Sequence, residues 1–297
     1  MIEHPDPALG TSPAPYRSMC TDCGISRSSD PGRCGRACQF IAPDYPGLEA
    51  QVHGRSRHSA ADQDELFFGV HTKMWRAVRQ PAVVGAQWTG ITTLIGEQLL
   101  SGGHVDAVLA VVPDPDDRWK PKPALLTAPE EMAHARGMRM GYAPLLALLE
   151  TARAHGFARL AVIGIPCQVY ALRALERELG FDELFVIGTP CSDNTTTDHF
   201  HTFLAALTDQ PDTVSYLEFR PDYQVEMRFD DGARRLIPFI KLPLSQLPEN
   251  FFPLTCQTCV DYTNALSDLT VGYMAADGEQ WLIVRNARGA RLLNLIN

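Results

Sequence analysis

The feature that most constrains this chain is the placement of its eight cysteines, which fall into two groups of four. The groups are Cys20, Cys23, Cys34 and Cys38 near the N-terminus, and Cys167, Cys191, Cys256 and Cys259 further along. The first group stands in residues 17–45, which have little apolar content and cannot bury a core of their own. We expect such a segment to fold around whatever its cysteines hold.

The compartment bears on what these cysteines do. The N-terminal residues lack the basic region and apolar run of a signal peptide, so export is not expected. The sequence therefore predicts a cytoplasmic protein with reduced thiols, since disulfides are rare in that compartment. Clustered thiols in a reducing compartment are typical of metal sites.

The first group has the spacing of a four-thiolate site. Its Cys20-x2-Cys23 unit places two sulfurs in one tight turn, beside Gly24, which lets the chain wrap closely. Four thiolates suit a 4Fe–4S cluster and also a structural zinc ion. The spacing favours the cluster and leaves zinc as the alternative.

The second group is dispersed, but its members follow predicted strands. Cys167 and Cys191 each come shortly after a buried strand and directly after a proline. Ligands collect at the carboxyl ends of parallel strands, so these two should meet there together with Cys256 and Cys259. The alternative for any single one is a buried free cysteine. Taken together, the eight cysteines predict two 4Fe–4S clusters.

From residue 81 short apolar runs alternate with amphipathic stretches, which predicts an α/β fold. The predicted strands are 82–84, 105–112, 160–165 and 184–187, and the predicted helices are 91–100, 144–154, 168–179 and 197–207. This alternation favours a mostly parallel sheet flanked by helices, preceded by an N-terminal iron–sulfur module and followed by antiparallel hairpins such as 225–229. The predicted domains are a flexible tail (1–16), the cysteine module with a polar linker over 51–64 (17–64), and the α/β domain (65–297).

Charge and hydropathy limit the partners. A net charge of −9 argues against nucleic-acid binding, which needs a basic face. No apolar run approaches the roughly 20 residues of a membrane span, so none is predicted. A cofactor, a small substrate or a redox partner is the expected ligand, and association into a homo-oligomer is left open.

Five motifs occur in an order that can be compared with known families: GAQWTG (85–90), GIPCQ (164–168), GTPC (188–191), CQTCVD (256–261) and DLTVG (268–272). In this order they resemble the β-subunit family of coenzyme F420 hydrogenases and dehydrogenases. Within that family, HGRSR (53–57), ELFFG (65–69) and CSDN (191–194) are most similar to the branch of ferredoxin-dependent 3,8-divinyl (proto)chlorophyllide 8-vinyl reductases. The plant 7-hydroxymethyl chlorophyll reductases form a sister branch.

The resemblance implies FAD, two 4Fe–4S clusters, reduced ferredoxin as electron donor and a tetrapyrrole reduced at its 8-vinyl group. Another reductase of the family, deazaflavin-linked or acting on 7-hydroxymethyl chlorophyll, is an alternative. So are an electron-transfer subunit without its own substrate and a zinc-stabilised binding module. The chain departs from its relatives at Ser26, where they carry a cysteine, and Cys34 is expected to replace that ligand. It also ends at Asn297 while relatives continue, so the α/β domain is expected to be truncated.

The flavin is expected at the loop that precedes the first predicted helix. Backbone N–H groups at a helix start suit a phosphate, and glycines permit close approach. The expected flavin-binding residues are Gly85, Gln87, Trp88, Thr89, Gly90, Asn194 and Thr195. Helix capping is the alternative role for the 194–196 segment, most clearly for Thr196. The proton donors are expected among His71, Asp193 and Tyr142, chosen only because they lie near the motifs; a structural role is the alternative for each.

Overall fold

The computed structural model describes residues 1–3, 20–57, 63–272 and 278–296. Its strands are β1 (Ile2–Glu3), β2 (Lys73–Ala77), β3 (Ala107–Asp114), β4 (Asp117–Leu126), β5 (Arg159–Gly164), β6 (Glu183–Gly188), β7 (Val214–Phe219), β8 (Gln224–Phe229), β9 (Arg234–Pro238), β10 (Leu269–Gly272) and β11 (Gln280–Val284). Its α-helices are α1 (Arg33–Ala37), α2 (Tyr45–His53), α3 (Asp64–Phe68), α4 (Ile91–Ser101), α5 (Leu148–Ala154), α6 (Pro166–Leu179), α7 (Thr197–Leu207), α8 (Leu254–Gln257) and α9 (Ala287–Asn294).

An eight-stranded sheet in the order β1-β4-β3-β5-β6-β10-β11-β2 forms the centre of the fold. The four inner strands β3, β5, β6 and β10 run parallel, and one strand next to each edge, β4 on one side and β11 on the other, runs antiparallel to its neighbours. β2 pairs antiparallel with β11, so it points the same way as the inner strands. The carboxyl ends of β2, β5, β6 and β10 therefore lie on the same side of the sheet, where these strands end. This side is called the C-terminal edge below. The predicted α/β class with its parallel sheet is confirmed.

Both faces of the sheet are covered, because side chains alternate between them along each strand. On one face Leu160 and Val162 of β5 pack against α5 and α6. On the other face Ala161 of the same strand contributes to the core beneath α4 and α9. This double burial explains why β5 and β6 read as nearly continuous apolar runs. None of the helices in the described ranges combines the length and apolar character that a bilayer span requires.

The N-terminal cysteine segment is packed against the main core. Ile25 and Ala37 are buried within the cluster that also contains α5 and α6. Gly24 has φ +106°, and a Cβ there would lie 2.5 Å from the backbone nitrogen of Ala147. The carbonyl of Cys23 also accepts the N–H of Leu146, at 2.9 Å. The segment thus rests directly on the 3-10 turn Leu145–Ala147 that precedes α5.

A second, three-stranded antiparallel sheet, β7-β8-β9, lies between β6 and β10 in the chain. It has its own core with α7, formed by residues such as Phe200, Leu217 and Val225. The hairpin predicted around 225–229 is confirmed as β8 and β9.

Three predictions about the chain need correction. Residues 82–84 are not a strand: the run is short, and the N–H of Val83 bonds the carbonyl of Thr89 across a loop, so no neighbouring strand pairs with it. Residues 51–53 end α2 and Asp64 begins α3, so the described parts of 51–64 are not a linker. Arg57 of this stretch pairs with Glu49 of α2 at 2.6 Å. Residues 2 and 3 of the predicted tail form β1, while 4–16 lie outside the described residues.

Candidate functional site

The four N-terminal thiols lie together. Cys20 and Cys23 flank a turn with Asp22 at φ +46°. Cys34 lies on α1, and Cys38 follows the helix directly as its C-cap in an extended conformation. Burial is the main cause that raises the pKa of the Cys34 thiol, and Cys38 and Cys20 raise it further. Burial likewise raises the pKa of Cys23, with smaller contributions from Cys34 and Cys20. These mutual influences require the four sulfurs to be neighbours, so Cys34 belongs to the group.

The other four thiols converge at the C-terminal edge. Pro166 opens α6 at the position that proline favours, which puts Cys167 in the first turn. Burial raises the pKa of Cys167 to about 12, and Cys256 and Cys259 add to the shift. Burial also raises the pKa of Cys191 well above its usual value, followed by the effect of Cys167. The four cysteines, dispersed in sequence, are therefore one group in space, and none of the eight cysteines is in a disulfide.

Asn264 connects the strand ends that carry this second group. It is fully buried and has φ +60°. Its side-chain amide donates to the carbonyl of Gly164 at the end of β5, at 2.8 Å, and to that of Thr189 just after β6, at 3.2 Å. Asn264 thereby holds in place the two loops that lead to Cys167 and Cys191. Sequence reasoning missed it, although it lies soon after the CQTCVD motif.

The two thiol groups meet each other. Among the charges that raise the pKa of Cys23, Cys167 of the other group is the largest. The side chain of Thr21 hydrogen-bonds the Cys167 sulfur, and the Nε2 of Gln39 donates to the Sγ of Cys259 at 3.7 Å. Sequence reasoning missed Thr21 and Gln39; both directly adjoin a cysteine of the first group, which was the available signal.

The donor set fits iron–sulfur clusters. The backbone N–H of Asp22 donates to the Sγ of Cys20 at 3.3 Å. Burial raises the pKa of four further thiols, and a backbone hydrogen bond offsets part of each shift: Cys23, Cys167, Cys256 and Cys259. Within the described residues, no three Cys, His, Asp or Glu side chains converge tightly enough to hold a single metal ion. A zinc ion needs its sulfurs within about 4 Å of one another, given Zn–S bonds of about 2.3 Å. A cluster binds its thiolates at four separate irons and therefore needs a wider set of sulfurs than zinc does.

The loop 85–90 is built partly for its own structure. The hydroxyl of Thr89 donates to Oε1 of Gln280 at 2.7 Å, and the same oxygen accepts the N–H of Ile91 at 3.3 Å. Gly90 caps α4 in a left-handed conformation, and its N–H bonds the carbonyl of Gln87. The first helical N–H expected to bind a phosphate is therefore already used within the protein.

Other parts of the loop face outward or toward the second sheet. Trp88 has φ +53° and donates its backbone N–H to Oε1 of Glu218 at 3.2 Å. Gly85, at φ +78°, has no described atom within 4 Å of the position a Cβ would take. Gly85 lines the cavity described next, and the other predicted flavin residues of this loop are not among its lining residues.

That cavity has a volume of about 260 Å³ and carries three arginines. Its lining residues are Val84, Gly85, Trp119, Arg136, Gly137, Met138, Arg139, Ser215, Tyr216, Leu217 and Arg228. It lies between the loop 85–90, the segment 136–139 and the second sheet. Sequence reasoning missed Arg136 and Arg139, which stand outside every recognised motif.

Asn194 and Thr195 have defined structural contacts. The Nδ2 of Asn194 donates to the carbonyl of Gly141 at 3.0 Å, so it joins the loop after β6 to the segment that lines the cavity. Thr195 is fully buried and its hydroxyl donates to the carbonyl of Phe251. The predicted capping role of Thr196 is confirmed, because its side chain accepts the N–H of His199 at the start of α7.

The three predicted proton donors lie in different surroundings. Burial raises the pKa of Tyr142 most, and then Cys256, Cys167 and Cys20 contribute, so Tyr142 adjoins both thiol groups. Asp193 also adjoins the second group, since it raises the pKa of Cys256 and Cys259. His71 instead bonds the carbonyl of Gly69 at 3.0 Å and donates its backbone N–H to Glu65. Neither of these His71 contacts involves a thiol.

Comparisons with known proteins bear on the family and the fold. Residues 74–150 match the model of the N-terminal part of the coenzyme F420 hydrogenase/dehydrogenase beta subunit, and residues 157–297 match that of its C-terminal part. A solved chain of the F420-reducing NiFe hydrogenase complex from Methanosarcina barkeri is similar in fold. Its TM-score is 0.68 at 22% sequence identity, over 77% of this chain and 79% of that one.

Two relatives extend over most of the sequence. An uncharacterized protein of Nostoc sp. is 40% identical over 95% of this chain and 71% of its own length. The chloroplastic 7-hydroxymethyl chlorophyll a reductase of Oryza sativa is 38% identical over 95% of this chain and 62% of its own length. This chain thus spans under two thirds of the rice protein.

Proposed function

Because the chain belongs to the coenzyme F420 hydrogenase/dehydrogenase beta-subunit family, we propose that it is an iron–sulfur flavoprotein reductase of chlorophyll metabolism. Its substrate would be a tetrapyrrole and its electron donor reduced ferredoxin. The observation that carries the proposal is the meeting of two four-thiol groups at Cys23 and Cys167. Two adjacent clusters held by these groups would form a path for electrons, which suits a donor that delivers them one at a time. The free state of all eight thiols is in keeping with a cytoplasmic protein.

Each thiol group would hold one 4Fe–4S cluster. When bound, the clusters carry electrons singly and FAD stores two of them for transfer to the substrate. This chain contributes buried thiols, backbone N–H groups directed at their sulfurs, and the bridging contacts of Thr21 and Gln39. Donors to sulfur stabilise the more negative state and so help to set the reduction potential.

The flavin would occupy the cavity beside Gly85. The segment that lines this cavity continues from Arg139 to Tyr142, which adjoins both thiol groups. Three residues span at most about 11 Å of extended chain, so the cavity and the thiols are close neighbours. This proximity supports direct electron exchange between the second cluster and the flavin, with the N-terminal cluster nearer to ferredoxin.

The proton donor is proposed on position. Tyr142 and Asp193 both adjoin the thiols, and Tyr142 also follows the cavity-lining segment. A general acid must be placed within hydrogen-bond reach of the substrate atom that receives the proton. We favour Tyr142 over Asp193 and His71 for this reason.

Two substrates are proposed within the same chemistry. Reduction of an 8-vinyl group to ethyl adds two electrons and two protons, and nothing leaves. Reduction of a 7-hydroxymethyl group to methyl also takes two electrons and two protons, but a C–O bond breaks and water leaves. The CSDN, HGRSR and ELFFG motifs favour the vinyl group, and the identity to the rice reductase favours the hydroxymethyl group as second candidate.

The test begins with protein purified anaerobically. Two clusters require about eight irons and as much acid-labile sulfide per chain, together with bound flavin. The protein is then incubated with reduced ferredoxin and either divinyl chlorophyllide or 7-hydroxymethyl chlorophyll, and the products are separated by chromatography. Stoichiometric zinc without labile sulfide would refute the proposal, and turnover of only the second substrate would refute the vinyl assignment.

Cys34 and Ser26 offer a matched pair of variants. If Cys34 is the fourth ligand of the first group, Cys34→Ala should lose about four of the eight irons. Ser26→Ala should keep all of them, because Ser26 is where relatives carry a cysteine but is not required here. Retention of full iron in Cys34→Ala would contradict the assignment.

A further inference from the structure

The cavity beside Gly85 contains a cation without an acidic partner. Among the described residues, Arg139 forms no ion pair, and its only hydrogen bond runs from Nη1 to the carbonyl of Met138, at 2.7 Å. Its Nε is buried and has no hydrogen-bond partner in the described structure. Burial lowers the pKa of Arg139, and no nearby carboxylate offsets this. Arg139 as a whole is half-buried, but its Nε is withdrawn from water without a hydrogen bond, which is costly unless something else compensates it.

A second guanidinium at the cavity is only partly satisfied. Arg136 also has a buried Nε without a hydrogen-bond partner in the described residues, and its Nη2 lies 3.5 Å from Glu97. Arg228, by contrast, bonds Glu226 at 2.7 Å and lies over the ring of Tyr216. Arg136 and Arg139 thus retain unused N–H groups at one cavity.

The backbone around the arginines leaves room for a ligand. A Cβ at Gly137 would lie 3.3 Å from the carbonyl of Gly85, so the two glycines let these loops approach each other. The N–H of Ile91 at the nearby helix start is bonded to Gln280 and cannot serve an anion. An anionic group that enters here would therefore be bound by the arginines.

We propose that Arg136 and Arg139 form a phosphate-binding site. Guanidinium groups are planar forks whose paired N–H donors match phosphate oxygens, and a buried contact of this kind is stronger than one in water. On the proposed function, on which this identification of the ligand rests, the phosphates are those of flavin adenine dinucleotide. The site lies three residues from Tyr142, so a flavin held by its phosphates would be near the thiol groups.

The test compares three variants of the full chain, purified anaerobically and freed of flavin. Arg139→Gln removes the charge, Arg139→Lys keeps the charge without the planar fork, and Arg177→Gln is a matched control on the exposed face of α6. Each protein is titrated with FAD and with riboflavin, which lacks phosphate, and flavin fluorescence is followed. Iron content and circular dichroism report whether each variant folds.

We expect Arg139→Gln to bind FAD at least about tenfold more weakly, the loss of one charge-assisted hydrogen bond. Riboflavin affinity should be unchanged, Arg139→Lys should be intermediate, and Arg177→Gln should match the parent chain. Equal FAD affinity in Arg139→Gln and the parent would overturn the site. A raised KM for a tetrapyrrole carrying a free carboxylate, with FAD affinity intact, would overturn the phosphate assignment in favour of a carboxylate.

If the parent chain binds neither flavin, the proposed function fails on its cofactor. Calorimetric titration with inorganic pyrophosphate then decides the arginine site separately. Binding to the parent chain that is lost in Arg139→Gln would support the site, and absent or equal binding in both would overturn it.

Discussion

The contact between Gln39 and Cys259 provides a sharp test of how the two thiol groups are coupled. Gln39 is 8% exposed, its Nε2 donates to the Cys259 Sγ at 3.7 Å, and its Oε1 accepts the hydroxyl of Tyr45 at 2.6 Å. Tyr45 therefore holds the amide in position. A hydrogen bond to sulfur stabilises the more negative, reduced state, so Gln39→Leu should lower the reduction potential of the cluster proposed for the second thiol group.

The size of the shift in reduction potential follows from the geometry of this hydrogen bond. A net hydrogen bond contributes about 0.5–1.5 kcal/mol, and the long N···S distance places this one at about 0.5–1 kcal/mol. Since about 1.4 kcal/mol corresponds to 59 mV for one electron, the expected shift is about 20–40 mV downward. Leucine has a similar volume, so packing should change little.

The assay is an anaerobic redox titration followed by electron paramagnetic resonance. Gln51→Leu is the matched control, because Gln51 is also partly buried but donates to the carbonyl of Arg173 at 3.2 Å. Gln51→Leu should shift the reduction potential of neither cluster, and Gln39→Leu should leave the reduction potential of the cluster proposed for the first group unchanged. An upward shift in Gln39→Leu, or one no larger than the control, would refute the proposed contact.

Three further predictions concern folding. Gly24→Ala should loosen the N-terminal segment, because the added Cβ would lie 2.5 Å from the Ala147 nitrogen. We expect the variant to lose about half of its iron and to keep the iron bound by the second thiol group. Full iron content would contradict this. Asp268→Asn should lower the free energy of unfolding by about 1–3 kcal/mol, since it removes the carboxylate 2.7 Å from the fully buried Arg173, which keeps its other partner Glu176 at 2.9 Å. No measurable loss in denaturant titration would argue against this. Burial lowers the pKa of His53 from 6.5 to about 3, so the unfolded chain binds the proton first and stability falls as pH decreases below 6.5. Between pH 6.5 and about pH 5 the free energy of unfolding should fall by about 1.6 kcal/mol because of this group. Denaturant titrations across this pH range should show a decrease that is smaller by that amount in His53→Gln.

Elements with local signals could be predicted from the sequence. The helix predicted over 197–207 has those bounds in the structure, because Thr196 supplies a cap and an amphipathic stretch follows it. The placement of Cys167 and Cys191 at one edge also followed from sequence, since both come after parallel strands whose carboxyl ends must share an edge.

Only the tertiary structure decided what depends on contacts between distant parts of the chain. That Cys23 adjoins Cys167 follows from packing of the N-terminal segment against α5 and α6, which no local pattern encodes. The sequence predicts a polar linker over residues 51–64, and only the folded structure shows that Arg57 pairs with Glu49 there. Arg139 stands in no motif, and its importance arises only from the absence of an acidic partner around it in the described structure. Propensity and strand order act over a few residues or through general rules of topology, whereas burial and pairing of a charge depend on everything that folds around it.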